Sequence, residues 1–183
     1  IAAIDFGWDH PTAVVWCAID NETETFYVYD CYRASKASPA VHAEIIKMRP
    51  HFIPIAYPHD GNRRDSMGNP GLADQYRGHG CNFKLEHFTN PPALGQVKGS
   101  NSIEEGLMAM IQSMEAGKFK VFSTLPDWFE EFRMYHRKGG KVVPLRDDIM
   151  SATRYAFQSQ RYAIAGADPE WTKDLTYRNY GIV

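Results

Sequence analysis

Three consecutive segments rich in apolar and β-branched residues open the chain and limit the folds available to it. They are residues 1–5, residues 12–19 ("TAVVWCAI") and residues 25–32 ("TFYVYDCY"). The polar stretch "NETET" between the second and third segments is typical of a tight turn. The sequence therefore predicts two or three antiparallel strands, joined by short turns, at the start of the domain.

From residue 38 onward, the pattern alternates between helices and strands. The first helix is predicted over "SPAVHAEIIKM", with Ser38 as the N-cap and Pro39 at the first helical position. Its apolar stripe is predicted to be Val41, Ile45 and Met48, which recur at helical spacing.

The later segments continue this alternation. Strands are predicted in "HFIPIAYPHDG", "NFKLEHF" and "KFKVF", and helices in "GNPGLADQYRGHG", "PDWFEEFRMYHRKGG" and the segment after "KVVPLRDD". Residues 89–102 are rich in Pro, Gly and polar residues, which predicts an exposed, mobile loop. A long helix follows from a capping box formed by Ser102 and Glu105. The order predicts an α/β fold with a mixed central sheet, antiparallel in its first strands and then parallel, flanked by helices on both faces.

Size and composition are those of one globular domain. The chain has 183 residues, of which 44% are hydrophobic and 23% charged, and these values exclude disordered and fibrous classes. We expect the domain to span residues 1–166 and to be followed by an irregular C-terminal tail, residues 167–183. No apolar run approaches the roughly 20 residues of a membrane span, so no membrane partner is expected. The start in a strand, without an initiator Met, suggests a piece of a longer polypeptide.

Cysteine count and net charge restrict the kinds of metal site, disulfide and nucleic-acid contact that can be expected. Three cysteines without a CxxC spacing argue against a zinc site or a disulfide framework. The formal charge of −2 provides no global attraction to nucleic acid. Any contact with DNA would therefore depend on local basic groups.

Acidic residues stand where strands end and where the last helix begins. Asp5 ends the first strand, Asp60 follows "FIPIAYPH", and Asp147 and Asp148 open the final helix. Carboxylates are the ligands that Mg²⁺ and Mn²⁺ prefer, and like charges held close together are costly unless a cation neutralises them. Two simpler explanations stay open, since Asp60 and Gly61 form a common turn pair and an acid at a helix start can serve as a cap.

Three blocks together resemble a known family. "IAAIDFGWDHPTAVVW", "AYPHDGNRRD" and "RDDIMSATRYAFQ", in this order, are similar to the C-terminal nuclease domain of the large terminase subunit of tailed bacteriophages, a member of the ribonuclease H-like superfamily. The resemblance extends from Ile1 to about Tyr162. Many relatives carry a further aspartate where this chain has Ser151, which leaves open whether Asp147 or Asp148 is the third ligand; we favour Asp148.

The resemblance implies a ribonuclease H-like fold and a metal-dependent DNA endonuclease. Asp5 would bridge two Mg²⁺ or Mn²⁺ ions, Asp60 would hold one of them, and Asp148 or Asp147 the other. Two such ions support phosphodiester hydrolysis. The enzyme would cut concatemeric DNA at the initiation and termination of viral genome packaging.

The resemblance also implies partners and a location. Double-stranded DNA would be contacted through its phosphates, and the basic residues best placed for this are Arg63, Arg64, Arg146 and Lys98. Each of them could equally be an ordinary solvated side chain. The resemblance implies an ATPase domain upstream in the same polypeptide, and because no Walker motif is present, we expect that domain to be absent from this fragment. The portal and the small terminase subunit are further expected partners, in the cytoplasm of the infected bacterial host.

Two alternatives to a nuclease remain. The chain could be a module that docks onto the portal or the small terminase subunit, and this role can coexist with cutting. Alternatively, the opening "IDFG" resembles the first phosphate-binding hairpin of actin-like and sugar-kinase ATPases. That class also needs glycine-rich phosphate loops in a second lobe, and the sequence offers no such motif.

Overall fold

A five-stranded mixed sheet forms the centre of the fold in this computed structural model, which describes residues 1–64, 68, 70–92 and 94–165. The predicted tail, residues 167–183, lies outside the described residues. The strands are β1 (Ala2–Asp5), β2 (Thr12–Asp20), β3 (Thr25–Ala34), β4 (Ile55–Ala56) and β5 (Phe119–Val121). They are ordered β4-β1-β2-β3-β5. The pairs β1/β2 and β2/β3 are antiparallel, whereas β4/β1 and β3/β5 are parallel, which confirms the predicted mixed sheet.

Five helices and a small hairpin complete the described part of the chain. The helices are α1 (Pro39–Lys47), α2 (Leu72–Gly78), α3 (Ile103–Glu115), α4 (Pro126–Met134) and α5 (Asp148–Gln158). Short 3₁₀ turns span His59–Asn62 and Gln160–Tyr162, and the hairpin pairs β6 (Arg137–Lys138) with β7 (Lys141–Val142). None of these helices is long and apolar enough to cross a membrane.

The sheet is covered by helices on both faces, as predicted. Because successive side chains of a strand point to opposite faces, Ala2 and Ile4 of β1 pack into one core cluster and Ala3 packs into the other. The first cluster also contains buried residues of α1 and α2, and the second contains those of α3, α4 and α5. The alternation therefore places Asp5, two residues after Ala3, on the face that α5 covers.

The predicted apolar stripe of α1, formed by Val41, Ile45 and Met48, is wrong. Val41 is 52% exposed and Met48 is 68% exposed. The buried residues of α1 are instead His42, Ala43 and Ile46. A histidine can face the core here because Nδ1 of His42 lies 3.0 Å from the hydroxyl of Tyr32, which provides the polar partner that a buried imidazole needs.

Two other predicted elements are shorter than expected. The segment "NFKLEHF" makes only an isolated parallel bridge, between Phe83 and Ile55. The helix that begins with "PDWFEEF" ends at Met134, and the chain then turns back in the β6/β7 hairpin. Gly139 and Gly140, which were expected to follow the helix, form this hairpin turn with φ of +58° and +80°, a conformation that suits a two-residue turn.

Hydrogen bonds close the irregular segment over residues 89–102 at its base. The buried Asn90 donates its backbone N–H to the carbonyl of Ser100 at 2.8 Å and its side-chain amide to the carbonyl of Ser102 at 2.8 Å. Ser102 in turn accepts the backbone N–H of Glu105, as the capping box predicts. The tip is exposed, since the side chain of Val97 is 94% accessible.

Truncation of Phe26 to Ala should destabilise the fold by about 3–5 kcal/mol, because it empties a buried aromatic site. Phe26 is 1% exposed, and its ring centroid lies 5.3 Å from that of Phe119 and 5.1 Å from that of Phe157. Urea unfolding measures the change. Phe122→Ala is the matched control. Because Phe122 is 49% exposed, its truncation should lower the free energy of unfolding much less. Equal losses in the two variants would contradict this description of the core.

Candidate functional site

Asp5 lies at the carboxyl end of β1, on the face of the sheet that α5 covers. It pairs across the sheet with Ala13 of β2. The turn that follows is held by Thr12, whose hydroxyl donates to the carbonyl of Gly7 at 2.9 Å and accepts the N–H of Gly7 at 3.1 Å. Thr12 is only 2% exposed, so the position of the turn after Asp5 is fixed by a buried side chain.

Asp60 lies at the same edge of the sheet. It belongs to the 3₁₀ turn that follows β4, and β4 runs parallel to β1, so both strands end at this edge. The next residue, Gly61, packs closely against the ring of Phe6. A Cβ at Gly61 would lie 2.6 Å from Phe6 Cε2 and 2.7 Å from Tyr57 Cδ2, so only glycine lets the Asp60 turn approach the end of β1.

Asp147 and Asp148 come to this edge from the opposite direction, at the start of α5. Asp147 occupies the N-cap position, but its side chain makes no capping hydrogen bond. Asp148 is 7% exposed although it is charged. The helix they begin packs against β1 and β2, which brings its first turn toward Asp5.

Electrostatic coupling shows that the four carboxyl groups share one neighbourhood. The pKa of Asp5 is raised to about 8, first by burial and then by the negative charges of Asp148, Asp60 and Asp147 in that order, while the Tyr155 hydroxyl opposes the rise. Burial also raises the pKa of Asp147, and the pKa of Asp148 is raised by burial and by the neighbouring Asp147. The fold therefore holds acidic groups where their charged forms are disfavoured.

Within the described ranges none of the four acids forms an ion pair. Nearby His10, Arg33 and Arg154 oppose the rise in the pKa of Asp147 or Asp148 without cancelling it. Carboxylate oxygens are the ligands that hard divalent cations prefer, so this donor set fits Mg²⁺ or Mn²⁺. In the described part of the chain, no three His, Cys, Asp or Glu side chains are close enough to hold one ion together. Ligation by three carboxylates would require these side chains to rotate toward each other.

The predicted basic residues lie at different distances from the acids along the chain. Arg63 and Arg64 are exposed and directly follow the Asp60 turn. Arg146 precedes the acid pair, but its Nη1 lies 3.0 Å from Oε1 of Glu130. Lys98 is in the exposed tip of the segment over residues 89–102 and lines a cavity of about 620 Å³ beside Asn62, His87 and Arg161.

Residues that sequence reasoning missed surround the acids. Tyr155 is one of them. Its hydroxyl opposes the rise in the pKa of Asp5, and it lies seven residues after Asp148, so both are on one face of α5. That spacing was a signal in the sequence. Glu131 is another, because it reaches the first turn of α5 from a different helix, and no local pattern indicates such a contact.

Comparison with known proteins relates this chain to phage terminases. The model of the family described as the terminase RNaseH-like domain matches residues 2–160. The large terminase subunit of Salmonella phage P22 is 37% identical over 164 residues, which are 89% of this chain and 32% of that protein. The chain thus spans about one third of the length of this curated relative.

Solved structures share the fold. The nuclease domain of the P22 large terminase is 36% identical and superimposes with a TM-score of 0.79, covering 89% of this chain and 81% of that one. The nuclease domain of the large terminase from bacteriophage SPP1, solved with bound Mn, is 17% identical and has a TM-score of 0.56, covering 87% and 83%. The second likeness supports the fold alone.

Substitution of Asp5 by Asn should stabilise the protein in EDTA as the pH rises. The folded-state pKa of Asp5 is about 8, above its ordinary value of 3.8, so between these values the folded protein retains a proton that the unfolded chain has lost. The contribution of Asp5 to stability is full below about pH 4. It is lost as the pH rises toward 8, by at most about 1.4 kcal/mol per pH unit.

Urea unfolding between about pH 4.5 and about pH 8.5 measures this effect. The stability difference between Asp5→Asn and the unmodified protein should grow with pH in favour of the variant. Glu115→Gln, which removes an exposed carboxylate at the end of α3, is the control and should show no such growth. A difference that is constant across the pH range would disprove the coupling of Asp5 to its neighbours.

Replacement of Thr12 by Val should lower the free energy of unfolding by about 1–3 kcal/mol, because both backbone groups of Gly7 lose their hydrogen-bond partner while the shape of the side chain is kept. Thr12→Ser retains the hydroxyl and should recover most of the loss. Urea unfolding of the three proteins at neutral pH measures it. If Thr12→Val were as stable as Thr12→Ser, the hydroxyl would not be what holds the turn.

Proposed function

Because the chain belongs to the terminase RNaseH-like domain family, we propose that it is a metal-dependent endonuclease of a viral genome-packaging motor, which cuts concatemeric double-stranded DNA when packaging begins and ends. The observation that carries the proposal is the group of four neighbouring carboxyl groups at one edge of the sheet, none of which forms an ion pair in the described residues. Burial first, and then the charges of the other three acids, raise the pKa of Asp5 to about 8. Such a group is suited to binding divalent cations that a phosphodiester substrate shares.

Asp5, Asp60 and Asp148 are proposed as ligands of two Mg²⁺ or Mn²⁺ ions, with Asp5 between the two. Such a pair, when bound, supplies activation of the attacking water and stabilisation of the leaving 3′ oxygen. Two observations support Asp148 over Asp147 as the third ligand. Asp148 has the larger effect on the pKa of Asp5, and it is the more buried of the two. The SPP1 nuclease domain, which shares the fold, was solved with bound Mn, an ion of the proposed kind.

The chain's own residues would position the DNA by contacting phosphates. Arg63 and Arg64 are exposed beside the Asp60 turn, where their guanidinium groups can approach the scissile strand. Lys98, on the exposed tip of the segment over residues 89–102, would contact the flanking duplex. Contacts of this kind add affinity without reading bases. Arg146 is proposed in the same role, although reaching DNA would require it to leave Glu130.

Other parts of the proposal concern the longer protein. The P22 relative is about three times the length of the matched region, which leaves room for the ATPase domain that we propose upstream. We also propose the portal and the small terminase subunit as partners, with the reaction in the cytoplasm of the infected bacterium. Family membership favours this proposal over the fragment of an actin-like or sugar-kinase ATPase, and a docking role remains compatible with it.

Cleavage of supercoiled plasmid with Mn²⁺ should depend on the three proposed ligands. Asp5→Asn, Asp60→Asn and Asp148→Asn should each lose at least about 100-fold in rate, because removal of a ligand should cost no less than the 10–100-fold typical of the groups that support ligands. Asp147→Asn should retain more activity than Asp148→Asn. Gel analysis of nicked and linear DNA measures the rates.

The control is Asp20→Asn, which removes a half-buried carboxylate at the other end of β2 and should cleave like the unmodified protein. EDTA should abolish cleavage in both. Activity that persists in Asp5→Asn or Asp60→Asn would reject the ligand assignment. No Mn²⁺-dependent cleavage by any of the proteins would favour the docking role.

A further inference from the structure

Glu131 is a buried carboxylate on α4 that no part of the proposed chemistry uses. It is 0% exposed, whereas its neighbour Glu130 is exposed at its side chain. One oxygen, Oε2, accepts the backbone N–H of Ile149 at 2.7 Å and that of Met150 at 3.3 Å. The other oxygen, Oε1, accepts Nη1 of Arg33 at 3.1 Å.

These two amides belong to the first turn of α5. The first N–H groups of any helix have no partner within the helix, and the N-cap side chain usually accepts them. Here Asp147 occupies the N-cap position and accepts none with its side chain. Glu131, from another helix, replaces it. The carboxylates of Asp147 and Asp148 are therefore not used for capping.

Arg33 connects this cap to the sheet. Besides Glu131, its guanidinium contacts Asp127 at 3.1 Å and Glu130 at 2.5 Å. Arg33 pairs with Ala13 in the β2/β3 register, and Ala13 pairs with Asp5 in the β1/β2 register. Asp5 and Arg33 thus lie in one row across the sheet. A continuous set of contacts runs from this row through Arg33 and Glu131 to the start of α5.

This arrangement has a cost in stability that an ordinary cap would avoid. A buried carboxylate loses its hydration, and burial raises the pKa of Glu131 to about 7, although the amides of α5 and Arg33 oppose the rise. An exposed Ser, Thr or Asn at the N-cap would satisfy the same amides without burying a charge. What the buried cap adds is a fixed position of the helix start relative to the sheet.

We propose that Glu131 is a positioning residue for the divalent-cation site. By holding the first turn of α5 to Arg33 and the sheet, it sets the place of the Asp148 carboxylate relative to Asp5, and thereby the affinity for the cation. This inference rests on the proposed function, since it requires Asp148 to be a ligand.

The test is a titration with Mn²⁺ alone, followed by the electron paramagnetic resonance signal of the free ion. In Glu131→Gln the side chain keeps its size, but its amide NH₂ must face either Arg33 or the amides of α5, so one donor faces another donor. We expect the Mn²⁺ affinity to fall about 10–100-fold, as for residues that orient metal ligands. Glu130→Gln, which alters an exposed acid on the same arginine, should bind like the unmodified protein.

Two further proteins separate the possible outcomes. Asp148→Asn should lose Mn²⁺ binding. If the unmodified protein binds no Mn²⁺, or Asp148→Asn binds it equally well, both the proposed function and this inference fail. If Asp148→Asn loses binding while folded Glu131→Gln binds within about twofold of the unmodified protein, only this inference fails, and Glu131 serves stability alone.

Thermal unfolding in EDTA shows whether Glu131→Gln is folded. Arg33→Lys provides the second test should that variant not fold, because lysine keeps the charge at the sheet but cannot contact three carboxylates with a planar fork. A fall in its Mn²⁺ affinity supports the proposal, and an unchanged affinity in folded Arg33→Lys overturns it.

Discussion

The burial of α5 against the sheet is the constraint on which the rest of this structure depends. Nearly every residue of the helix is buried, and it packs on β1, β2 and β3. The hydrophobic stabilisation of this packing keeps the Asp148 end of the helix close to the end of β1. The acids are therefore crowded by the same contacts that form the core, and their unfavourable electrostatics are offset by apolar burial elsewhere along the helix.

The antiparallel opening strands and the mixed sheet could be predicted from the sequence, but several element boundaries could not. The opening strands are specified by local alternation and turns, so residues 1–5, 12–19 and 25–32 matched the observed strands closely. The buried face of α1 was missed because a tertiary contact, from Tyr32 to His42, determines it. Likewise, "NFKLEHF" has strand-like composition, but only Phe83 finds a partner strand in the described residues.

Some residues of the candidate site could likewise be predicted from the sequence, and others could not. Asp5 and Asp60 could be predicted because they stand at strand ends, and the parallel pairing of β1 with β4 brings such ends together. Asp148 could be predicted because it begins a helix. Glu131 could not, since it acts on that helix from another element far away in the chain. Its position on α4 is three residues after the buried Trp128, which by sequence alone is typical of an ordinary core face.

The hydrogen bonds of Asn90 have a consequence for how a domain of this kind can change. They close the base of the segment over residues 89–102 and anchor it beside the N-cap of α3. Residues 94–98 of this segment are exposed, so residues can be inserted there at a small entropic cost without moving α3. The tip is therefore a point at which evolution can lengthen the surface of the domain while the acidic edge stays as it is.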